Sequence, residues 1–383
     1  MSLLDSEIDL WKQCEVVTKR GGGCLNDQVI RSYESFVKLE SRWAAIEKGG
    51  GVKTPFQSFA WVDQWLRHRA SGVEPFILVV DDGAIIAPFG LWETYGVKTI
   101  RLLGSEDSDY LGLVTSLPVE KAWHRVAAKL FADTKAWDLL HLHSVLEREA
   151  ILSALMNQKG FGFYDRPYEQ CPLIGITQSW EHFLSGRKKI RLGMGRWARR
   201  LEEIGSIDVE VVSPPISDTL LIELIEVEQA SWKWQSGNAA FKDPSLADFL
   251  RGVLQDPRTE GKLFLCRLSN KLAGFNLVFT AGERWYYYWS VFGKEYPHVG
   301  SYLLGRVVEA AHSASCEHVD LLRGNEDYKS AWADGSKAVY EIVCYSSSRG
   351  RVAAMTYSLR WKMAQSRLLH DLRNRVMQIG DRR

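Results

Sequence analysis

Two stretches of the chain gather residues that can do chemistry. The first is Asp320-Leu321-Leu322-Arg323-Gly324-Asn325-Glu326-Asp327-Tyr328-Lys329. Asp320 ends an apolar β run, where burial raises a carboxyl pKa and suits it to accept a proton; capping neighbouring backbone is the plainer role. Glu326 is a second candidate base, or else a solvated turn carboxylate. Arg323 and Lys329 either bind an acidic acceptor or a donor phosphate, or pair with Glu326 and Asp327. The second stretch runs from the strand end Val291-Phe292 to Gly300-Ser301-Tyr302, where a glycine-led helix starts just after a strand. The free N–H groups of such a start suit a phosphate or pyrophosphate, unless Ser301 merely satisfies them. His298 lies in the loop between.

Upstream, residues 186–200 carry Arg187, Lys188, Lys189, Arg191, Arg196, Arg199 and Arg200 and no acid. Uncompensated like charges repel, so the block is either a phosphate clamp, with Arg187 and Arg191 as candidate contacts, or a solvated helix between lobes. Gly193 and Gly195 weaken it as a helix by about 1 kcal/mol each relative to Ala.

Other chemistries have no support. G-x-x-x-x-G-K-[ST], H-E-x-x-H, G-x-S-x-G and a helix-opening G-x-G-x-x-G are absent, which removes the usual signatures of P-loop, zincin, serine-hydrolase and dinucleotide sites. Cys14, Cys24, Cys171, Cys266, Cys316 and Cys344 show no C-x-x-C spacing, so no metal is expected. With 48 Lys+Arg against 47 Asp+Glu, the chain is no uniformly basic nucleic-acid coat. The N-terminus lacks an apolar secretory core and no apolar run approaches the ~18 residues of a membrane span, so a cytoplasmic protein is expected.

These residues need a scaffold. Its 383 residues suggest two domains, and 46% hydrophobic content permits a large core. Short β runs alternate with helical stretches, the pattern of an α/β fold. Phe76–Val80, Asp81-Asp82-Gly83 and Ala84–Ala87 spell a hairpin, echoed by Leu263–Leu268, Ser269-Asn270-Lys271 and Leu272–Phe279. Each follows a Phe-led helix start, Phe56 and Phe241, 185 positions apart, which points to an internal duplication or to two ordinary helix–hairpin units. The strand Arg284–Phe292, a helix through Leu303, Leu304, Val307, Val308 and Ala311, a strand at His318–Leu322, a short helix near Tyr328 and a β run at Ala338–Tyr345 follow. From Ser346 onward the chain is basic and helical, nine Lys/Arg against Asp371 and Asp381. Such a segment lies on an anionic membrane surface or docks on its own core.

That order of elements resembles the GNAT acyltransferase core, and the wording resembles its CelD-like branch, associated with cellulose biosynthesis. The match is carried by Thr54-Pro55-Phe56-Gln57-Ser58 with Trp61 and Trp65, Leu103-Gly104 with Asp109-Tyr110, and Trp137-Asp138. It continues through Arg187–Glu202, Trp232 with Phe241, Gly300 with Leu303-Leu304, and Asp320–Lys329 with Trp332, covering roughly residues 30–345.

The resemblance implies an α/β (α+β) fold of tandem GNAT-like lobes, related to Fem-type transferases, each a mixed, mostly antiparallel sheet flanked by helices. An extension (1–27), an N-terminal lobe (28–178), a C-terminal acyltransferase lobe (179–345) and a basic helical tail (346–383) are expected. The implied activity is N-acyl transfer from acyl-CoA, or a carrier thioester, to a small-molecule, sugar- or lipid-linked amine, without metal. Val291 and Phe292 would offer an amide to the thioester carbonyl; Gly300, Ser301 and Tyr302 would hold the pyrophosphate. Tyr328 would act as general acid, with Glu326 or Asp320 as base, and Trp232 would join Arg187, Arg191, Arg323 and Lys329 at the acceptor. Pro297 and Tyr302 depart from the family's loop, where Gln or Arg and a small residue stand. A Fem-like transferase using aminoacyl-tRNA, and a degenerate protein that only binds an anionic ligand or lipid, are the alternatives. Nucleic acid is otherwise not expected, and the tail would place the protein at the inner face of the membrane.

Overall fold

The structure, a computed structural model, describes residues 27–176, 179–324 and 326–365, with side chains to Leu359. In the first half, β1 (Gln28–Ile30), α1 (Tyr33–Val37), α2 (Glu40–Lys48) and α3 (Phe59–His68) precede β2 (Val73–Pro75), β3 (Ile77–Val80), β4 (Ile85–Ala87), β5 (Phe89–Thr94) and β6 (Val97–Leu102). Then come β7 (Val114–Thr115), α4 (Val119–Ala132), β8 (Leu139–Val145), α5 (Arg148–Met156) and β9 (Gly162–Gly175). The second half begins with α6 (Trp180–Ser185), α7 (Lys188–Glu202), β10 (Ile207–Val212), α8 (Asp218–Gln229), α9 (Trp232–Ser236) and α10 (Pro244–Gln255). It ends with β11 (Gly261–Leu268), β12 (Lys271–Ala281), β13 (Arg284–Phe292), α11 (Val299–Ser313), β14 (His318–Asp320), α12 (Asp327–Trp332), β15 (Gly335–Tyr345) and α13 (Ser348–Gln365).

Both expected hairpins form. Asp81, Asp82 and Gly83 take positive φ between β3 and β4, as do Ser269 and Asn270 between β11 and β12. Phe56 and Phe241 each sit in a 3-10 turn, Pro55–Gln57 and Ala240–Lys242, just before α3 and α10. Those two helices pack together: the Trp61 and Phe249 rings meet edge to face at 4.8 Å, and Gln64 donates to Asp256 at 2.9 Å. One apolar cluster therefore runs through both halves, from Phe36, Phe56 and Trp65 to Phe249, Phe275 and Tyr286.

The main sheet is a single mixed, mostly antiparallel layer of eleven strands, ordered β10-β11-β12-β13-β14-β9-β15-β8-β6-β5-β2, beside a small sheet β1-β3-β4-β7. The two halves exchange their last strands: β9 lies against β14, and β15 lies between β9 and β8. The spatial lobes thus interleave across the division near residue 178.

Each half contains a parallel pair joined by a crossover helix: β6 with β8, and β13 with β14. After Ile100↔Leu140 the first pair is filled by its own chain, since Leu111 bridges Val145 and its N–H donates to Ser144. The second pair stops at Tyr286↔Asp320; the chain then follows β9 instead, Leu321 N–H donating to Pro172. Tyr287 to Phe292 are left with β12 on one side and a gap on the other.

Candidate active site

The gap begins where β13 carries a bulge. Leu277 faces Trp289 while Val278 faces Tyr287, so Tyr288 is the extra residue. Bulges kink a strand and re-aim its peptide groups. Beyond it, Gly293 N–H donates to Ala273 O at 3.0 Å, and β-strand alternation then points Val291 N–H toward β12. The N–H groups of Ser290 and Phe292 point toward the side that β14 has left. Of the pair expected to meet a carbonyl, only Phe292 aims at the gap.

The start of α11 closes one end. A Cβ on Gly300 would come within 2.5 Å of the Phe292 ring, so glycine permits the close approach of helix and strand. The helix begins at Val299, and no side chain caps it. Val299 N–H is taken by Tyr296 O and Tyr302 N–H by His298 O, leaving Gly300 and Ser301 as the donors at the start. Tyr302, expected among the phosphate contacts, is thus already bonded within the helix, and its half-buried ring packs with the core under α11.

Cations gather there. Helix α7 forms through both glycines, with Met194 seated over Gly305 of α11. Arg200 reaches the His298 ring at 2.9 Å, and burial, then Arg200 and Arg196, push the His298 pKa down. Arg196 and Arg200 thus flank the helix start, whereas Arg187 and Arg191, expected at the acceptor, do not. Arg187 pairs with Asp334 at 2.8 Å and lies 4.0 Å over the Phe183 ring, while Arg191 points to solvent.

The expected acid–base residues divide into two groups. Tyr328, half exposed on α12, lies near the Tyr287 phenol; burial, then Glu326, raises the Tyr328 pKa, so its phenol stays protonated. Glu326 is exposed and pairs with Lys329 at 3.1 Å. The Lys329 ammonium is buried and also donates to Arg323 O at 2.5 Å. Gly324, at φ 123°, turns the loop, and any Cβ there would strike the Glu326 carboxylate.

Asp320 and Arg323 turn away from the gap. Asp320 is fully buried: Oδ1 accepts from Tyr110 (2.7 Å) and Leu322 N–H (2.8 Å), and Oδ2 pairs with Lys337 at 2.7 Å. Arg323 reaches Asp109 at 2.5 Å, Ser108 O and Ser144. Both residues bind across to the first half, so the geometry places them as interlobe contacts rather than at the reacting atoms. Trp232, half exposed, opens α9, whose approach is tied to β13 by Lys294 N–H donating to Ala230 O.

Sequence reasoning missed Asn276, Ser290, Tyr287, Lys233 and Lys337. Asn276 had a signal, a lone amide in the apolar run Leu272–Phe279. Lys233, whose pKa burial lowers, comes within electrostatic reach of Glu326 and Lys329 only through the fold. Among the described residues no His, Cys, Asp and Glu cluster is suited to hold a metal ion, and no helix is long and apolar enough to cross a membrane.

Comparison with known proteins fits this geometry. Residues 188–330 match the family model described as the acetyltransferase (GNAT) domain. No curated protein is a match for the chain. Among solved structures, the fold is shared with the DUF2156 C-terminal domain of an Agrobacterium fabrum protein (12% identity, TM-score 0.56, 85% of this chain and 95% of that one). It is shared also with L-PGS from Bacillus licheniformis (12%, 0.53, 79% and 95%) and with FemX (12%, 0.56, 83% and 97%). Residues 188–330, which hold α7, the β13 gap and the start of α11, are thus an acyltransferase domain of the GNAT type.

Proposed function

We propose that the protein is an N-acyltransferase of the CelD-like branch, moving an acyl group from acyl-CoA or a carrier thioester to a sugar- or lipid-linked amine. One observation carries this reading: a parallel strand pair that opens at Tyr286–Asp320, next to a helix start with free Gly300 and Ser301 N–H groups and two flanking arginines. Backbone donors and a helix start favour a pyrophosphate, and Arg196 and Arg200 add to them.

Phe292 lies against Gly300, so the phosphates and the end of β13 occupy the same place. The reacting carbonyl therefore belongs deeper, at the Tyr288 bulge, four residues along the strand or ~13 Å. There a neutral amine attacks the thioester carbon: the C–N bond forms, the C–S bond breaks, the amine's extra proton passes to Glu326 directly or through water, and Tyr328 protonates the departing thiolate. Trp232 and Lys233 line the approach of the acceptor. A lipid-linked amine on an anionic surface would suit the basic chain from 346 to 383, of which 366–383 lie outside the described residues.

A second reading has its own support. Lys188, Lys189, Arg191, Arg196, Arg199 and Arg200 are all exposed along α7, more cations than one pyrophosphate needs. Under it, the donor is an aminoacyl-tRNA, as for a Fem-like transferase, with binding steeply weakened by salt.

Binding of acetyl-CoA, a long-chain acyl-CoA and tRNA, followed by thiol release over a panel of amines, tests both. Binding of a thioester with amine-dependent thiol release is the expected result. Failure to bind either thioester overturns the leading reading; salt-sensitive tRNA binding then favours the second, and binding of neither leaves the degenerate protein.

A further inference from the structure

Helix α13 carries two apolar stripes, where a helix docked on a sheet needs one. Its inner side is covered. A Cβ on Gly350 would strike Asp138 O, Ala354 packs on Leu139 of β8 and Val343 of β15, and the Tyr357 hydroxyl accepts from Arg101 at 3.0 Å. At 3.6 residues per turn, Val352, Met355 and Leu359 fall together on the opposite side. They are 63%, 58% and 60% exposed.

Cations border this outer stripe. Arg349 and Arg351 are exposed, pair with no acid among the described residues, and stand about 80° to either side of it around the helix. In sequence the spacing goes on. Met363 follows Leu359 by four, Arg360 and Lys362 come between, and no Asp or Glu stands from Ser346 to His370. Single exposed apolar residues are ordinary; a row of them along one helix face, bordered on both sides by unpaired cations, marks a contact surface.

The charges choose the partner. A second copy docked face to face would bring the same cations together with no acid between them, and like charges repel. RNA would take the cations and leave the apolar stripe in water. An anionic bilayer surface satisfies both: headgroups pair with the cations, and the acyl boundary accepts the side chains between them. We infer that α13 is a membrane-docking surface, held to the protein by its Tyr357 side and laid on anionic lipid by Val352, Met355 and Leu359. Docking on the core and docking on a membrane are then two faces of one helix. The inference goes beyond the transfer reaction and stands whichever donor the β13 gap takes.

The test is co-sedimentation of the full chain with vesicles of phosphatidylcholine alone and of an equal mixture of phosphatidylcholine and phosphatidylglycerol. The chain should bind the mixed vesicles and not the neutral ones. The double variant Met355→Gln, Leu359→Gln keeps every charge; it should bind about tenfold more weakly, yet melt with wild type because both side chains are exposed. Arg349→Gln with Arg351→Gln should bind several-fold more weakly at low salt, with the difference shrinking as salt rises. No binding to the mixed vesicles, equal binding to neutral ones, or unchanged binding by the Met355, Leu359 variant overturns the inference. So does a lower melting temperature of that variant, which would mean the stripe packs within the chain. A wild-type dimer that the variant abolishes would show a second copy on this face, and an equal loss of tRNA binding would show RNA there; either result also overturns it. All of these leave the thioester reading untouched, because vesicle binding uses neither donor nor acceptor.

Discussion

The Asp320 carboxylate accepts a hydrogen bond from the Tyr110 hydroxyl at 2.7 Å, although 210 positions separate them. Three residues on, Arg323 reaches Asp109, the neighbour of Tyr110. An Asp-Tyr pair in the first half and an Asp-x-x-Arg in the second thus grip each other across the two halves. The loop that supplies Asp109 and Tyr110 is the same one that fills the first half's parallel pair. Filling one opening and bracing the other are a single structural device, and of these two parallel pairs it leaves the β13 pair open.

Breaking this grip should cost stability before chemistry. Asp320→Ala strands Lys337 beside the Tyr110 ring without its carboxylate, and loss of one partner of a buried ion pair costs about 3–5 kcal/mol, less here because Lys337 is partly exposed. Tyr110→Phe should cost about 1–3 kcal/mol by removing one donor. Urea unfolding of both variants measures this. An Asp320→Asn variant that keeps full stability yet loses turnover would instead make Asp320 the base.

Tyr328→Phe should lower kcat about 100-fold with little change in acetyl-CoA affinity, within the usual range for a general acid. Burial raises the Tyr328 pKa above its ordinary value, so the phenol keeps its proton throughout the working range. The wild-type pH–rate profile should accordingly show no alkaline fall assignable to this residue below pH ~10. Unchanged kcat in Tyr328→Phe removes the acid role.

The local parts of this fold were legible. Positive-φ residues marked the hairpins, Phe56 and Phe241 marked the turns before two helices, and Gly300 marked the helix start, because turn and cap chemistry is written in adjacent residues. The exchange of β9 and β15 was not legible. Each strand reads as an ordinary β run, and which neighbour it pairs with is decided by packing across the whole sheet. The same limit explains Asp320 and Arg323. Their motif was visible, but its partners Tyr110 and Asp109 stand in the other half, so the contact between the halves was not legible. Arg196 and Arg200 were distinguished from Arg187 and Arg191 only by the rotation of α7 against α11.

The cations beside α11 can be tested through His298. Burial lowers its pKa first, and Arg200 and Arg196 lower it further. Arg200→Ala should therefore raise the His298 pKa toward its ordinary value, read by NMR titration, and weaken acetyl-CoA binding several-fold at low salt, with the difference shrinking as salt rises. A His298 pKa that does not move would remove Arg200 from the helix start.

Glu147 carries the last prediction. Burial pushes its pKa up to about 7, and its Oε2 has no hydrogen-bond partner. It stands at the entrance to α5, close enough to Gly112 that a Cβ there would meet its carboxylate at 3.1 Å. Because the folded pKa exceeds the unfolded one, the folded state binds the proton more tightly. The contribution is full below pH ~4.5 and is lost as pH rises through about 7, up to about 3 kcal/mol in all. Glu147→Gln, neutral at every pH, should match wild type near pH 4 and exceed its stability at pH 8. Parallel urea titrations at the two pH values check this; equal stabilities at pH 8 would mean that Glu147 ionises in the folded protein as freely as in the unfolded chain.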